Sequence, residues 1–328
     1  MFSCYQNEEG YIVMKQCPIS KILLPVDGSE HSGRAVRFAG CLGAAIGKSL
    51  TGIALLRVIT GRYMSRHISY VDFRAEILKL SDTFSKFKER HIEQNIKPVL
   101  DEGEKILRDS GIEARVEKLV VEGDSAHEIV RIADEGNFST IIMSRRGLSE
   151  IMGVFLGSVT NKVVHSAVRQ TVYIVGHKIL EDKKCPVPKI LIPVDGSLYS
   201  LQGVEHAACL AQELSAPVDK ITLLRVVNLA YYEKRLAEGI DPEEEAKKIL
   251  EEARATFLKA SIPEGLIELK VRVGNPSEEI IKEAEQVDYN LIIMGRKGRT
   301  ALKDLILGGV SSTVLQRCQN PTIAIVSG

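Results

Sequence analysis

Lys21-Ile-Leu-Leu-Pro-Val-Asp-Gly-Ser29 recurs as Lys189-Ile-Leu-Ile-Pro-Val-Asp-Gly-Ser197, an offset of 168 residues. The same offset carries Leu55-Leu-Arg-Val58 onto Leu223-Leu-Arg-Val226. Farther on, Ile141-Ile-Met143 maps onto Ile292-Ile-Met294 and Gly147 onto Gly298, now at an offset of 151. A repeat this long means two copies of one domain, the first longer between Val58 and Ile141. At 328 residues the chain suits two domains of about 150 residues each.

Each copy reads alike. A short apolar run (21–27, 189–195) ends in Asp-Gly-Ser and feeds a helix whose N-cap is Ser29 or Ser32, and Ser197 or Ser200 in the second copy. Ala35, Val36, Phe38, Ala39, Leu42, Ala45 and Ile46 form a broad apolar face on the first helix. A second strand is expected at 51–58 and 220–227, then amphipathic helix over 72–110 and 242–260. A third strand (114–121, 267–273), a helix from Ser125 or Pro276, and a fourth strand (139–144, 290–295) precede a last helix and strand. Strands alternating with helices predict an α/β fold, an open and mostly parallel sheet covered on both faces. The boundaries read as an extension over 1–18, domains at 19–177 and 188–328, and a charged, proline-containing linker over 178–187.

Composition narrows the function classes. With 43 basic and 43 acidic residues the net charge is zero, which gives no reason to expect nucleic acid or a membrane surface as partner. No apolar run reaches the roughly 18 residues of a membrane helix, and residues 1–18 lack the pattern of a signal peptide. The expectation is a soluble, cytoplasmic chain. Its six cysteines contain no CxxC pair and its histidines no metal spacing, so reduced thiols are expected, with Cys41 and Cys209 in core packing.

Candidate chemistry gathers at two places. In an open parallel sheet ligands lie beyond the carboxyl ends of the strands, where strand order reverses, and Asp27 and Asp195 end the first strand there. Such a carboxylate either accepts hydrogen bonds from a base or ribose or merely caps a strand-to-helix turn; the spacing fits both. After the fourth strand, Gly295, Gly298 and Gly308-Gly309 precede a helix starting near Val310. Glycines permit close backbone approach, and a helix start offers N–H groups to a phosphate. Arg145 and Arg146, and Arg296, Lys297, Arg299 and Lys303, crowd these loops as phosphate partners or as solvated charges. Neither GxxxxGK[ST] nor a GxGxxG after the first strand occurs, and no nucleophile constellation is visible, so no catalytic residue is assigned.

These residues give the chain a resemblance to the universal stress protein family over about 19–177 and 188–328. The ATP-binding kind carries Gly, two residues, Gly, nine residues, Gly, then Ser or Thr. The second copy offers Gly295, Gly298 and Gly308, then Gly309 in place of the hydroxyl residue; the first offers Ser144 in place of the leading Gly, then Gly147, Gly157 and Ser158. The resemblance implies Rossmann-like, adenine-nucleotide α-hydrolase-like domains of five strands each, binding ATP or AMP. In the first, Asp27 would face the base, Val58 line the pocket and the glycine loop cradle ribose and phosphates, the nucleotide-binding set being Pro25, Val26, Asp27, Val58, Met143, Ser144, Arg145, Gly147, Gly157, Ser158, Val159 and Thr160. In the second, Asp195 would face the base and Val226 line the pocket, within a nucleotide-binding set of Pro193, Val194, Asp195, Val226, Met294, Gly295, Arg296, Gly298, Gly308, Gly309, Val310 and Ser311. Thr160 and Ser311 offer nearby hydroxyls. Each site has one carboxylate to hold Mg2+ with the phosphates, too little to argue catalysis.

The resemblance also implies pairing of domains through the β-branched closing strands, 171–175 and 322–326, as a pseudo-dimer within one chain; a further homodimer stays open. A sensor or regulatory module that binds adenine nucleotide is the leading expectation. Slow ATP hydrolysis or phosphoryl transfer, or a scaffold whose degenerate loops no longer bind nucleotide, are the alternatives.

Overall fold

A computed structural model describes residues 5–6, 12–13, 19–61, 82–147, 156–178, 186–298 and 307–327. The first half runs β1 (Lys21–Pro25), α1 (Glu30–Ile46), β2 (Gly52–Ile59), α2 (Asp82–His91), α3 (Lys97–Asp109), β3 (Arg115–Glu122), α4 (Ser125–Glu135), β4 (Thr140–Ser144), α5 (Ser158–Ser166) and β5 (Thr171–Val175). The second runs β6 (Lys189–Pro193), α6 (Leu198–Glu213), β7 (Lys220–Val227), α7 (Leu229–Ala237), α8 (Pro242–Lys259), β8 (Ile267–Val273), α9 (Pro276–Val287), β9 (Leu291–Gly295), α10 (Gly309–Arg317) and β10 (Thr322–Val326). Ahead of both, Tyr5–Gln6 pairs antiparallel with Ile12–Val13, inside the stretch read only as an extension.

Strands apolar at every position need cover on both faces. Ile22, Leu23 and Leu24 of β1, and Ile190, Leu191 and Ile192 of β6, are fully buried, and so each strand lies mid-sheet. The order within a half is 3-2-1-4-5, all parallel. The two halves then join: β10 pairs antiparallel with β5, Ile323 opposite Ile174 and Ala324 opposite Tyr173, giving one ten-stranded sheet. The closing strands, expected to pair the two domains as a pseudo-dimer, are therefore its centre, buried at all five positions each. The outer edges fall to β3 and β8, whose residues are only partly buried.

Ser29 and Ser197 are the N-caps, each accepting from the amide three residues on, while Ser32 and Ser200 turn their hydroxyls back to the cap carbonyls. The helix expected across 72–110 lies partly outside the described residues. Within them it is broken by a π-turn at Ile92–Ile96, just before Pro98, whose missing N–H and bulky ring forbid a regular turn there. The short α7 was not foreseen. Cys209 and Cys318 are buried and Cys41 half-buried. Among the described residues no helix is long and apolar enough to cross a membrane.

Candidate functional site

The turn-capping reading of Asp-Gly-Ser holds in both halves. Asp27 Oδ1 accepts from the Ser29 amide at 3.0 Å and its hydroxyl at 2.6 Å, and Asp195 Oδ1 from the Ser197 amide at 2.9 Å. The turn passes through Gly28 and Gly196 at φ of 82° and 78°, where a Cβ is strained. The other carboxylate oxygen meets the glycine loop. A Cβ on Gly147 would sit 2.3 Å from Asp27 Oδ2, and one on Gly298 2.7 Å from Asp195 Oδ2. A side chain at either position would force the strand-end carboxylate to shift, so glycine lets the loop close directly on it.

The loops then deliver a helix start. The Gly157 amide donates to the Arg145 carbonyl at 2.7 Å, and that of Gly308 to the Arg296 carbonyl at 2.8 Å, clipping each loop to its own strand end. Helices α1, α4, α6, α7, α8 and α9 all carry a side-chain N-cap. In contrast, α5 and α10 begin on Gly157 and Gly308 with none. Their first-turn amides, of Ser158, Val159 and Thr160 and of Gly309, Val310 and Ser311, have no intrahelical acceptor. Each helix thus presents an uncapped, positive end beside Asp27 or Asp195. The loop stretches 148–155 and 299–306, with Arg299 and Lys303, lie outside the described residues.

Several expected ligands are used otherwise. Thr160 Oγ1 donates to the Ser144 carbonyl at 2.9 Å and Ser311 Oγ to the Gly295 carbonyl at 3.0 Å, so both hydroxyl protons hold the helix start to its strand. Arg145 and Arg296 turn away from the loops and cross the seam between the halves. Arg296 Nη1 donates to Val164 O at 2.6 Å, Nη2 to Ala167 O, and Nε to Ser327 Oγ at 3.0 Å. Arg145 Nη2 donates to Leu315 O. Each arginine therefore caps the carboxyl end of the other half's loop helix, where cations are favoured. Burial pushes both guanidinium groups down to about 10, still charged at neutral pH. Local charge runs gave no sign of this reach across more than 120 residues of sequence.

The apolar candidates divide by face. Met143, Met294 and Val226, with half-buried Val58, pack on the side of the sheet covered by α5 and α10. Val26 and Val194 point into the opposite core, under α1 and α6. Pro25 and Pro193 end their strands. Departures from the glycine pattern also have local causes. A Cβ on Gly295 would meet the Tyr199 carbonyl oxygen at 2.2 Å, so α6 sits hard against the end of β9. Ser144 carries a real side chain there, its hydroxyl donating to the Arg146 carbonyl, and the first half makes room for it. At Gly309 nothing lies within 4 Å of an added Cβ, so the missing hydroxyl is not a steric necessity.

The tandem arrangement has its counterpart in known proteins. The model of the universal stress protein family matches residues 18–175 and again 186–325. The chain belongs to the universal stress protein family. Across both halves it is 24% identical over 308 residues to a universal stress protein of Mycolicibacterium smegmatis, covering 93% of this chain and 96% of the relative. One half is 29% identical over 163 residues to universal stress protein MJ0531 of Methanocaldococcus jannaschii, 47% of this chain and 90% of that one. A crystal structure of a universal stress protein from Archaeoglobus fulgidus shares the fold, with a TM-score of 0.62, 21% identity, and coverage of 94% of this chain and 98% of that one. The stress-protein fold of this chain is thus a tandem one, with a candidate site at the carboxyl edge of each half.

Proposed function

We propose that this universal stress protein binds an adenine nucleotide, ATP or AMP, at its glycine loops, and acts in the cytoplasm as a sensor or regulatory module rather than as an enzyme. One observation carries the reading: in each half a strand-end carboxylate packs against a loop glycine, and that loop ends in an uncapped helix. The residues present fit the ligand. Asp27 or Asp195 supplies an acceptor for base or ribose, and the first-turn amides supply donors for phosphate. Gly157 and Gly308 leave room for the approach, since a Cβ would already lie 3.2 Å from Arg145 O and 3.4 Å from Lys297 Cα. Val58 and Met143, or Val226 and Met294, give the apolar wall a base requires. The ATP-binding kind of stress protein resembled by the glycine spacing supports the choice of adenine nucleotide.

The test is to denature freshly purified protein and identify the released nucleotide by mass spectrometry, in wild type and in Gly157→Val and Gly308→Val separately. Adenine nucleotide from the wild type, lost or halved in a variant that still folds, is the expected result. Protein that carries none and shows no thermal shift with AMP, ADP or ATP would leave the scaffold role instead.

A further inference from the structure

We propose that the crevice at the seam of the first half, behind the Ser144–Arg146 turn, is an oxyanion site that takes a phosphoryl group and is absent from the second half. It is lined by His31 and Arg34 of α1, Ser144, Arg145 and Arg146 after β4, Val175, Gly176 and His177 after β5, and Gln319 from the other half. No lining residue is acidic, and Asp27, Gly147 and Gly157 are not among them; of the residues expected to cradle the nucleotide, the crevice shares only Ser144 and Arg145.

Arg145 is the buried anchor. It is 6% exposed, and only its Nη2 is engaged, on the carbonyls of Leu315 and Gln316. Its Nε and Nη1 are buried without an acceptor among the described residues. Orphaned donors of a buried cation are costly unless an acceptor meets them. Around it, Arg34 Nη1 lies 3.4 Å from His177 Nδ1, and Arg34 Nη2 contacts His31 Nδ1. Burial, then Arg34 and Arg145, push the His177 imidazole below its ordinary value, as expected of a group beside uncompensated positive charge. A tetrahedral oxyanion matches planar guanidinium forks and neutralises such a cluster.

The second half lacks the His31 and Arg34 side chains and keeps cations only at Arg296 and Lys297. Offsets of 168 and 151 put Tyr199 where His31 stands, Gln202 at Arg34 and Lys297 at Arg146. Arg296, the counterpart of Arg145, uses Nε, Nη1 and Nη2 on protein acceptors. There α6 closes on Gly295, whereas the first half has Ser144 at that position, and Ser144 lines the crevice.

The phosphoryl group comes either as free inorganic phosphate or as the tail of a nucleotide seated on the adjoining loop, and two arms separate them. Calorimetric titration of the full chain with inorganic phosphate, at constant ionic strength, is expected to show saturable binding that weakens about tenfold or more in Arg34→Gln, as loss of a charged hydrogen bond implies. His177→Gln should weaken it in the same direction, and Gln202→Leu in the second half should leave it unchanged. If phosphate gives no saturable heat but Arg34→Gln weakens ATP about tenfold and spares AMP, the site holds the nucleotide tail. Phosphate binding indifferent to Arg34→Gln marks an adventitious ion only and overturns the proposal, as does indifference of both ligands. The phosphate arm needs no nucleotide, and AMP binding reports separately on the cradle, so either reading can fail alone.

Discussion

In the second half Thr222, Lys270, Arg272, Glu283 and Tyr289 form a network around a fully buried carboxylate. Glu283 accepts from Lys270 Nζ at 2.8 Å, from the Tyr289 hydroxyl at 3.0 Å, and from Arg272; the Tyr289 hydroxyl oxygen also lies 2.8 Å from Thr222 Oγ1. The offsets place Ala54, Leu119, Val121, Ile132 and Phe138 at the same five positions of the first half, where they pack as apolar core. One backbone thus accepts either filling between its outer strands and α4 or α9. The lesson extends to the seam, where the fold fixes the position of Arg145 and Arg296 but the neighbours decide whether all their donors are used.

The largest expected effect breaks the network. Among the described residues, Glu283→Leu leaves Lys270 only Glu268, and Arg272 only Glu279 and Gln286, as partners and should cost about 3 kcal/mol in urea unfolding. Converting all five residues to the first half's set should restore most of it, since an apolar replacement of a buried ion network is often neutral. Burial alone raises the Glu283 carboxyl, but hydrogen bonds from Lys270, Arg272 and Tyr289 outweigh it and hold it below the usual carboxylate range. A depressed carboxyl loses its contribution as pH falls below its unfolded value, so the five-residue variant should also show a flatter acid limb in the unfolding curve.

At the seam, Arg296→Met removes three hydrogen bonds and should destabilise by about 3 kcal/mol, against roughly half that for Arg145→Met, whose donors are mostly unused. Equal losses would show that the arginines pack rather than bond. His206 sharpens the comparison further, standing where the first half has Phe38 and bonding the Tyr173 hydroxyl across the seam at 2.6 Å. Burial pushes its imidazole down to about 4, so the folded chain resists protonating it. Stability should therefore fall between pH 6.5 and about 4, by on the order of 3 kcal/mol, and His206→Phe paired with Tyr173→Phe should remove that slope. The smallest effect is at the site. Gly309→Ser adds the missing hydroxyl into open space and should tighten nucleotide at the second loop several-fold, about 1 kcal/mol by calorimetry, with no loss of stability.

The repeat made the tandem α/β fold readable because buried parallel strands are apolar at every position and turn residues recur at fixed offsets. The strand-end aspartates and glycine loops were visible for the same reason. What periodicity cannot report is the partner of a buried side chain. The Arg145 and Arg296 side chains read as loop charges, yet their acceptors lie in the other half. Thr160 and Ser311 read as ligand hydroxyls, but strand carbonyls claim their protons. The pairing of the closing strands came only from the family resemblance, since nothing local distinguishes an edge from a strand that pairs with a distant copy of itself.

The most direct test of the account is calorimetric titration of nucleotide-stripped protein with ATP and AMP, on wild type, Asp27→Ala and Asp195→Ala. The account predicts saturable binding in wild type and selective loss of one class of sites in each variant, with folding intact by circular dichroism. A folded wild-type chain that binds neither nucleotide, or variants that bind as well as wild type, would contradict it.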